Sequence, residues 1–122
     1  MANPLQLEDL LNWREFLSSL GEDEDLAREI LGVYQEESPA YVANVEEARR
    51  LGDLNELARA AHRHKGALAT IHATKAAEQA RLLEDACRSN RPLMVAQAAD
   101  ALQRELSCLG PALDTWLRDP QI

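Results

Sequence analysis

The sequence predicts an all-α fold: an antiparallel up-down-up-down four-helix bundle with an additional short N-terminal helix. Three observations carry this expectation. Apolar residues recur at helical spacing from end to end, and no stretch shows the period-two alternation of β-branched residues that a strand needs. The apolar runs are also joined by very short turns, which make consecutive helices antiparallel neighbours. With 122 residues, the chain suits a single domain over 1–122, burying roughly two thirds of its unfolded surface and needing no disulfide to fold.

From Leu7 to Leu20, the residues Leu7, Leu10, Leu11, Phe16, Leu17 and Leu20 predict a first short helix, ended by Gly21 in the left-handed conformation. The acidic run Glu22-Asp23-Glu24-Asp25 precedes the stripe Leu26, Ile30, Val33 and Tyr34. Negative charge there complements the positive end of a helix dipole. Ser38-Pro39 allows either a new N-cap with proline at the first helical position or a kink in one long helix from about Asp23 to Leu51. The single kinked helix is preferred. Gly52 closes it, and Asp53 with Glu56 has the spacing of a capping box that starts a third helix reaching about His72. Thr74 is a candidate cap for a fourth helix up to Asn90, and Pro92 opens a fifth, with a kink or break expected at Gly110-Pro111.

Composition narrows the function. Thirteen Lys and Arg against 21 Asp and Glu leave a formal charge of -8, which argues against nucleic acid, since phosphate backbones are gripped by positive faces. Aromatic content of 4% leaves too little for a base-stacking platform. No basic stretch precedes an apolar run at the start, and no apolar run reaches the ~18 residues that span a bilayer. A cytoplasmic protein with no membrane partner is expected. Cys87 and Cys108 form no C-x-x-C pair and are read as small apolar residues in a reducing compartment.

Residues Leu57 to Ala77 contain no Asp or Glu and hold Arg59, His62, Arg63, His64, Lys65, His72 and Lys75 instead. At helical spacing, Leu57, Ala60, His64, Ala67, Leu68 and Ile71 form the core stripe, and His62 points the other way. Around His62 the small residues Ala58, Gly66, Ala69 and Ala73 are expected on the exposed side, with Arg59, Arg63 and Lys65 on the flanks. Such a surface lets another protein bring its own cleft down onto the imidazole. Gly66 fits that purpose, because glycine inside a helix costs about 1 kcal/mol relative to alanine. An imidazole in water is a competent nucleophile at neutral pH, and phosphoryl transfer needs charge stabilisation more than covalent machinery. Lys65 lies where an N-phosphoryl group on His62 would put its oxygens.

The run Ala61-His62-Arg63-His64-Lys65-Gly66 resembles the A-H-x-x-K-G core of the histidine-containing phosphotransfer (HPt) family of bacterial phosphorelays. Leu83-Glu84 matches a Leu-Glu pair usual on the family's following helix. Asn12-Trp13-Arg14-Glu15, the Gly21 turn, Glu36-Glu37-Ser38-Pro39 and Gly52-Asp53 extend the likeness over about residues 8–117. The resemblance implies a phosphorelay intermediate. His62 would be the phosphoacceptor, taking a phosphoryl group from an aspartyl phosphate on a response-regulator receiver domain or on the receiver of a hybrid sensor histidine kinase, and passing it to another receiver. Lys65 would stabilise the phosphate, and Arg59, Arg63, Gly66, Ala69 and Ala73 would form the docking face. Mg²⁺ would belong to the receiver, with no cofactor on this chain, which is expected to be a monomer.

Two positions depart from the family pattern. His64 stands on the core side where an apolar residue is usual, and is read as a neutral, hydrogen-bonded, partly buried histidine. His72 stands where the family generally has glycine; histidine tolerates the left-handed region better than most residues, so the helix ends there or runs further. A metal site from His62, His64 and His72 is disfavoured, since His62 and His64 face opposite sides of one helix. A non-catalytic docking bundle is the competing reading and predicts receiver binding without label on this chain. The five glycines stand singly at 21, 32, 52, 66 and 110, with no phosphate-binding loop for ATP-dependent kinase activity. No G-x-S-x-G elbow suggests a hydrolase.

Overall fold

Leu11 and Asn12 break the first helical run in the computed structural model, which describes residues 6–118. In place of one helix over Leu7–Leu20 there are two, α1 (Leu7–Leu10) and α2 (Trp13–Ser19). Leu11 is extended at φ -110°, ψ 154°. The backbone N–H of Asn12 donates to the His72 carbonyl at 2.8 Å, and its side chain accepts from Glu15 N–H. A tertiary bond has replaced the intrahelical one. The break buries Leu7, Leu10 and Leu11 while Phe16 enters the core; α1 packs on α6 (Pro92–Arg118) and α2 on α3 (Glu24–Leu51).

The long helix α3 forms as expected in one piece. The Asp23 side chain caps it by accepting from Leu26 N–H at 3.0 Å, and Gly52 ends it at φ 70°. Pro39 lies inside, where it cannot donate to the Gln35 carbonyl. The Ser38 hydroxyl donates to that carbonyl at 3.2 Å, which offsets the lost backbone bond. Pro111 likewise fails to break α6. Its missing donor strands the carbonyl of Ser107, an exposed position where water can serve.

Helices α4 (Leu54–Thr70) and α5 (Thr74–Arg88) complete the set. Asp53 caps α4 through Glu56 N–H at 3.1 Å. Thr74, expected as the cap of α5, is its first residue, and Ala73 occupies the cap position with no side-chain bond. His72 adopts φ 58°, so α4 stops at Thr70 through the left-handed turn that the family's glycine would make more cheaply.

Each long helix packs on the next, and α6 returns to α3, closing a ring. Among the described residues all six elements are helical. The α4–α5 contact is the most extensive, because Ala58, Ala61, Ala76 and Ala80 are buried and small side chains let two helices approach closely. Leu31, Leu57, Leu68, Leu83, Leu102 and Leu113 are fully buried, each worth about 1.5–3 kcal/mol relative to exposure. Cys87 is buried, as expected of a small apolar residue, but Cys108 is exposed; both are free thiols. No helix among the described residues is long and apolar enough to cross a membrane. Residues 1–5, on which the reading of the chain's start rests, lie outside the described residues.

Candidate functional site

His62 stands on α4 with its side chain 61% exposed, as its place on the helix predicts. Its ring is nonetheless not alone. Nδ1 lies 3.1 and 3.2 Å from the two carboxylate oxygens of Glu84, across on α5. A carboxylate only accepts, so Nδ1 carries the proton and Nε2 keeps the free lone pair. Glu84 therefore selects the tautomer and leaves Nε2 as the ring nitrogen without a proton.

Glu84 also accepts from Lys65 Nζ at 2.9 Å and from Arg88 at 3.0 and 3.1 Å. Its side chain is 10% exposed. Burial by itself would raise the carboxyl's pKa; hydrogen bonds from Lys65, His62 and Arg88, with the Lys65 charge, outweigh it and bring the pKa to about 2. One carboxylate thus anchors two cations and the imidazole, leaving a locally positive face on an acidic chain.

Arg59 and Arg63 are exposed and share Glu56, at 3.3 and 3.2 Å. Exposed pairs of this kind contribute little, about 0–1 kcal/mol, so either guanidinium can turn to an acidic partner at small cost. Gly66 and Ala69 are exposed beside His62. A Cβ built on Gly66 meets nothing within 4 Å, so packing within the chain does not require glycine there.

Two expected members of this face are not on it. Ala58 is 2% and Ala73 1% exposed. Ala58 lies on the flank of α4 that α5 covers, a flank a single-helix wheel cannot distinguish from solvent. Ala73 is beyond the end of α4, past the left-handed turn at His72, where the helical period no longer applies. Of the residues expected on that face, Arg59, Arg63, Gly66 and Ala69 are exposed around His62 and Lys65. The sequence alone marks Glu84 only as half of a Leu-Glu pair and does not mark Arg88. The signal for Glu84 was present: a carboxylate four residues after Ala80, within the stripe Ala76, Ala80, Leu83 and Cys87.

His64 is wholly buried, deeper than expected, on the opposite face. Its Nε2 lies 2.8 Å from the Tyr34 hydroxyl, and the Tyr41 ring stacks on it with centroids 5.2 Å apart. Burial pushes its pKa from 6.5 down to about 4. Between those values the unfolded chain holds more protons than the folded one. The stability from keeping this ring neutral is therefore complete above about pH 6.5 and is lost as pH falls toward 4, at most about 3 kcal/mol. Glu84 adds its own loss only lower, from about 4.5 toward 2. Urea unfolding from pH 7 to 4 is expected to show a falling midpoint in the native chain and a flatter profile in His64→Phe. Equal slopes would refute the assignment.

In comparison with known proteins, a family model described as Hpt domain matches residues 29–110, more than half of the chain. The match contains His62, Lys65 and Glu84 and is narrower than the 8–117 span of the sequence likeness. No curated protein and no solved structure matches.

Proposed function

The chain belongs to the Hpt domain family, and from that premise we propose that His62 is its phosphoacceptor in a two-component phosphorelay. The family's activity is histidine phosphotransfer, with response-regulator and kinase components as partners. For this chain, the Nε2 lone pair attacks the phosphorus of an aspartyl phosphate on a receiver domain. The N–P bond forms as the P–O bond to aspartate breaks, and the aspartate leaves as its carboxylate. The Nδ1 proton stays on the ring, held against Glu84, which compensates the charge the imidazole gains. In the onward step a second receiver's aspartate attacks phosphorus and the N–P bond breaks.

The observation that carries this reading is an exposed imidazole oriented by a buried carboxylate that also holds a lysine ammonium. Lys65 meets the phosphoryl oxygens, and Arg59 and Arg63 answer the acidic pocket of a receiver. Short turns of two and three residues between the four long helices support the up-down-up-down arrangement, with His62 on the exposed side of α4. The protein works as a cytoplasmic monomer with soluble receivers, including that of a hybrid sensor histidine kinase.

The test is transfer from a panel of phosphorylated receivers, scored for acid-labile, alkali-stable label on this chain. Lys65→Ala is expected to slow transfer or shorten the life of the phosphohistidine about tenfold, and Lys75→Ala to leave both unchanged. Equal effects would make Lys65 a surface charge. A receiver that binds without labelling the chain would favour the docking-only bundle.

A further inference from the structure

Besides Lys65, Glu84 holds a second cation. Arg88 stands on α5 one turn beyond Glu84, and its Nε and Nη2 both donate to the same carboxylate oxygen, Oε2, at 3.1 and 3.0 Å. Lys65 Nζ donates to the other oxygen, Oε1, at 2.9 Å. A guanidinium carries five N–H donors. Arg88 spends two of them on Glu84, and the rest meet no hydrogen-bond acceptor among the described residues.

Charge gives Arg88 more than an anchoring part. Glu84 is ionised, its carboxyl pKa held down at about 2, and the Lys65 ammonium cancels it. With the ring in its uncharged, nucleophilic form, Arg88 is what leaves this cluster net positive. A phosphoryl group brings a charge of about −1.5 to −2, to which Lys65 and Glu84 together offer no net attraction.

Position agrees. Arg88 Nη2 and His62 Nδ1 each lie close to Oε2, so they are at most about 6 Å apart. The Arg88 side chain is 58% exposed against 30% for Lys65, which leaves it the more open of the two to an incoming group. Lys65 comes from the turn of α4 nearer the α4–α5 connection, and Arg88 from the turn of α5 farther from it. The two cations therefore flank the His62–Glu84 contact from opposite ends.

We propose that Arg88 is a second phosphate-binding residue, its guanidinium meeting the oxygens of a phosphoryl group on His62 Nε2 from the side opposite Lys65. The proposal rests on the phosphoacceptor reading of His62. A guanidinium suits the task, since its planar fork matches phosphate oxygens in pairs where an ammonium acts as a point charge.

Phosphoramidate, a donor with no protein surface, separates phosphate binding from docking. Its P–N bond breaks as the bond from His62 Nε2 to phosphorus forms, and ammonia leaves. Arg88→Ala is expected to take label from it about tenfold more slowly than the native chain, the worth of a hydrogen bond to a charged group. The ¹⁵N shifts of the His62 ring should still report Nδ1–H, because Glu84 remains to select the tautomer. Arg88→Lys, which keeps the charge and loses the fork, is expected to fall between the two. Native-rate labelling of Arg88→Ala would overturn the inference. So would slowing that comes with loss of the Nδ1–H signature, which would make Arg88 only a support for Glu84. In both cases label on the native chain leaves the phosphoacceptor reading standing, whereas a native chain that accepts from neither phosphoramidate nor any phosphorylated receiver brings both down.

Discussion

His62→Gln is expected to reduce phosphoryl acceptance from a phosphorylated receiver to background while the far-UV helical signal and the unfolding midpoint stay within error of the native chain. The two halves of the result have separate causes. Glutamine offers no nitrogen lone pair able to form the N–P bond, so chemistry stops at the first step. The side chain is mostly in water, where substitutions change stability by only about 0.5 kcal/mol, and the new amide can still donate to Glu84. Labelling at the native rate in this variant would remove His62 from the site and shift attention to another residue. His64 would be a poor substitute, being wholly buried with Nε2 committed to Tyr34.

Glu84→Ala is expected to cost about 10- to 100-fold in transfer rate, the range that misplacement of a reacting group commands, with His62 itself untouched. Without the carboxylate, the ring rotates freely and its proton exchanges between Nδ1 and Nε2. The population with Nε2 free falls. Lys65 and Arg88 lose their shared anchor as well, which loosens the Lys65 ammonium. Glu84→Gln separates positioning from charge. Its amide oxygen still accepts from Nδ1–H, so it should recover most of the tautomer preference, visible in the ¹⁵N shifts of the His62 ring, and only part of the rate. Native tautomer shifts and native rates in Glu84→Ala would refute the positioning role.

Much of this architecture was legible in the residues. The caps Asp23 and Asp53, the left-handed stop at Gly52 and the Pro92 start all depend on bonds within one turn, and local chemistry of that range is written in local sequence. The outward aim of His62 and the inward aim of His64 follow from one helix's period. What failed to be legible involved a second element each time. The split of the N-terminal helix depends on a bond from Asn12 to His72, sixty residues away in the chain. Ala58 is buried because α5 lies over it.

By itself the sequence determined an all-helical chain, the order and approximate ends of its long helices, and a histidine facing water beside a lysine. Periodicity and caps are properties of single segments and survive without knowledge of what packs where. The tertiary structure alone decided that Glu84 reaches His62, Lys65 and Arg88 together, and that His64 meets Tyr34 and a cleft between α3 and α6. Those arrangements depend on how helices are set against one another, and side chains twenty to thirty positions apart become neighbours only when apolar faces are buried.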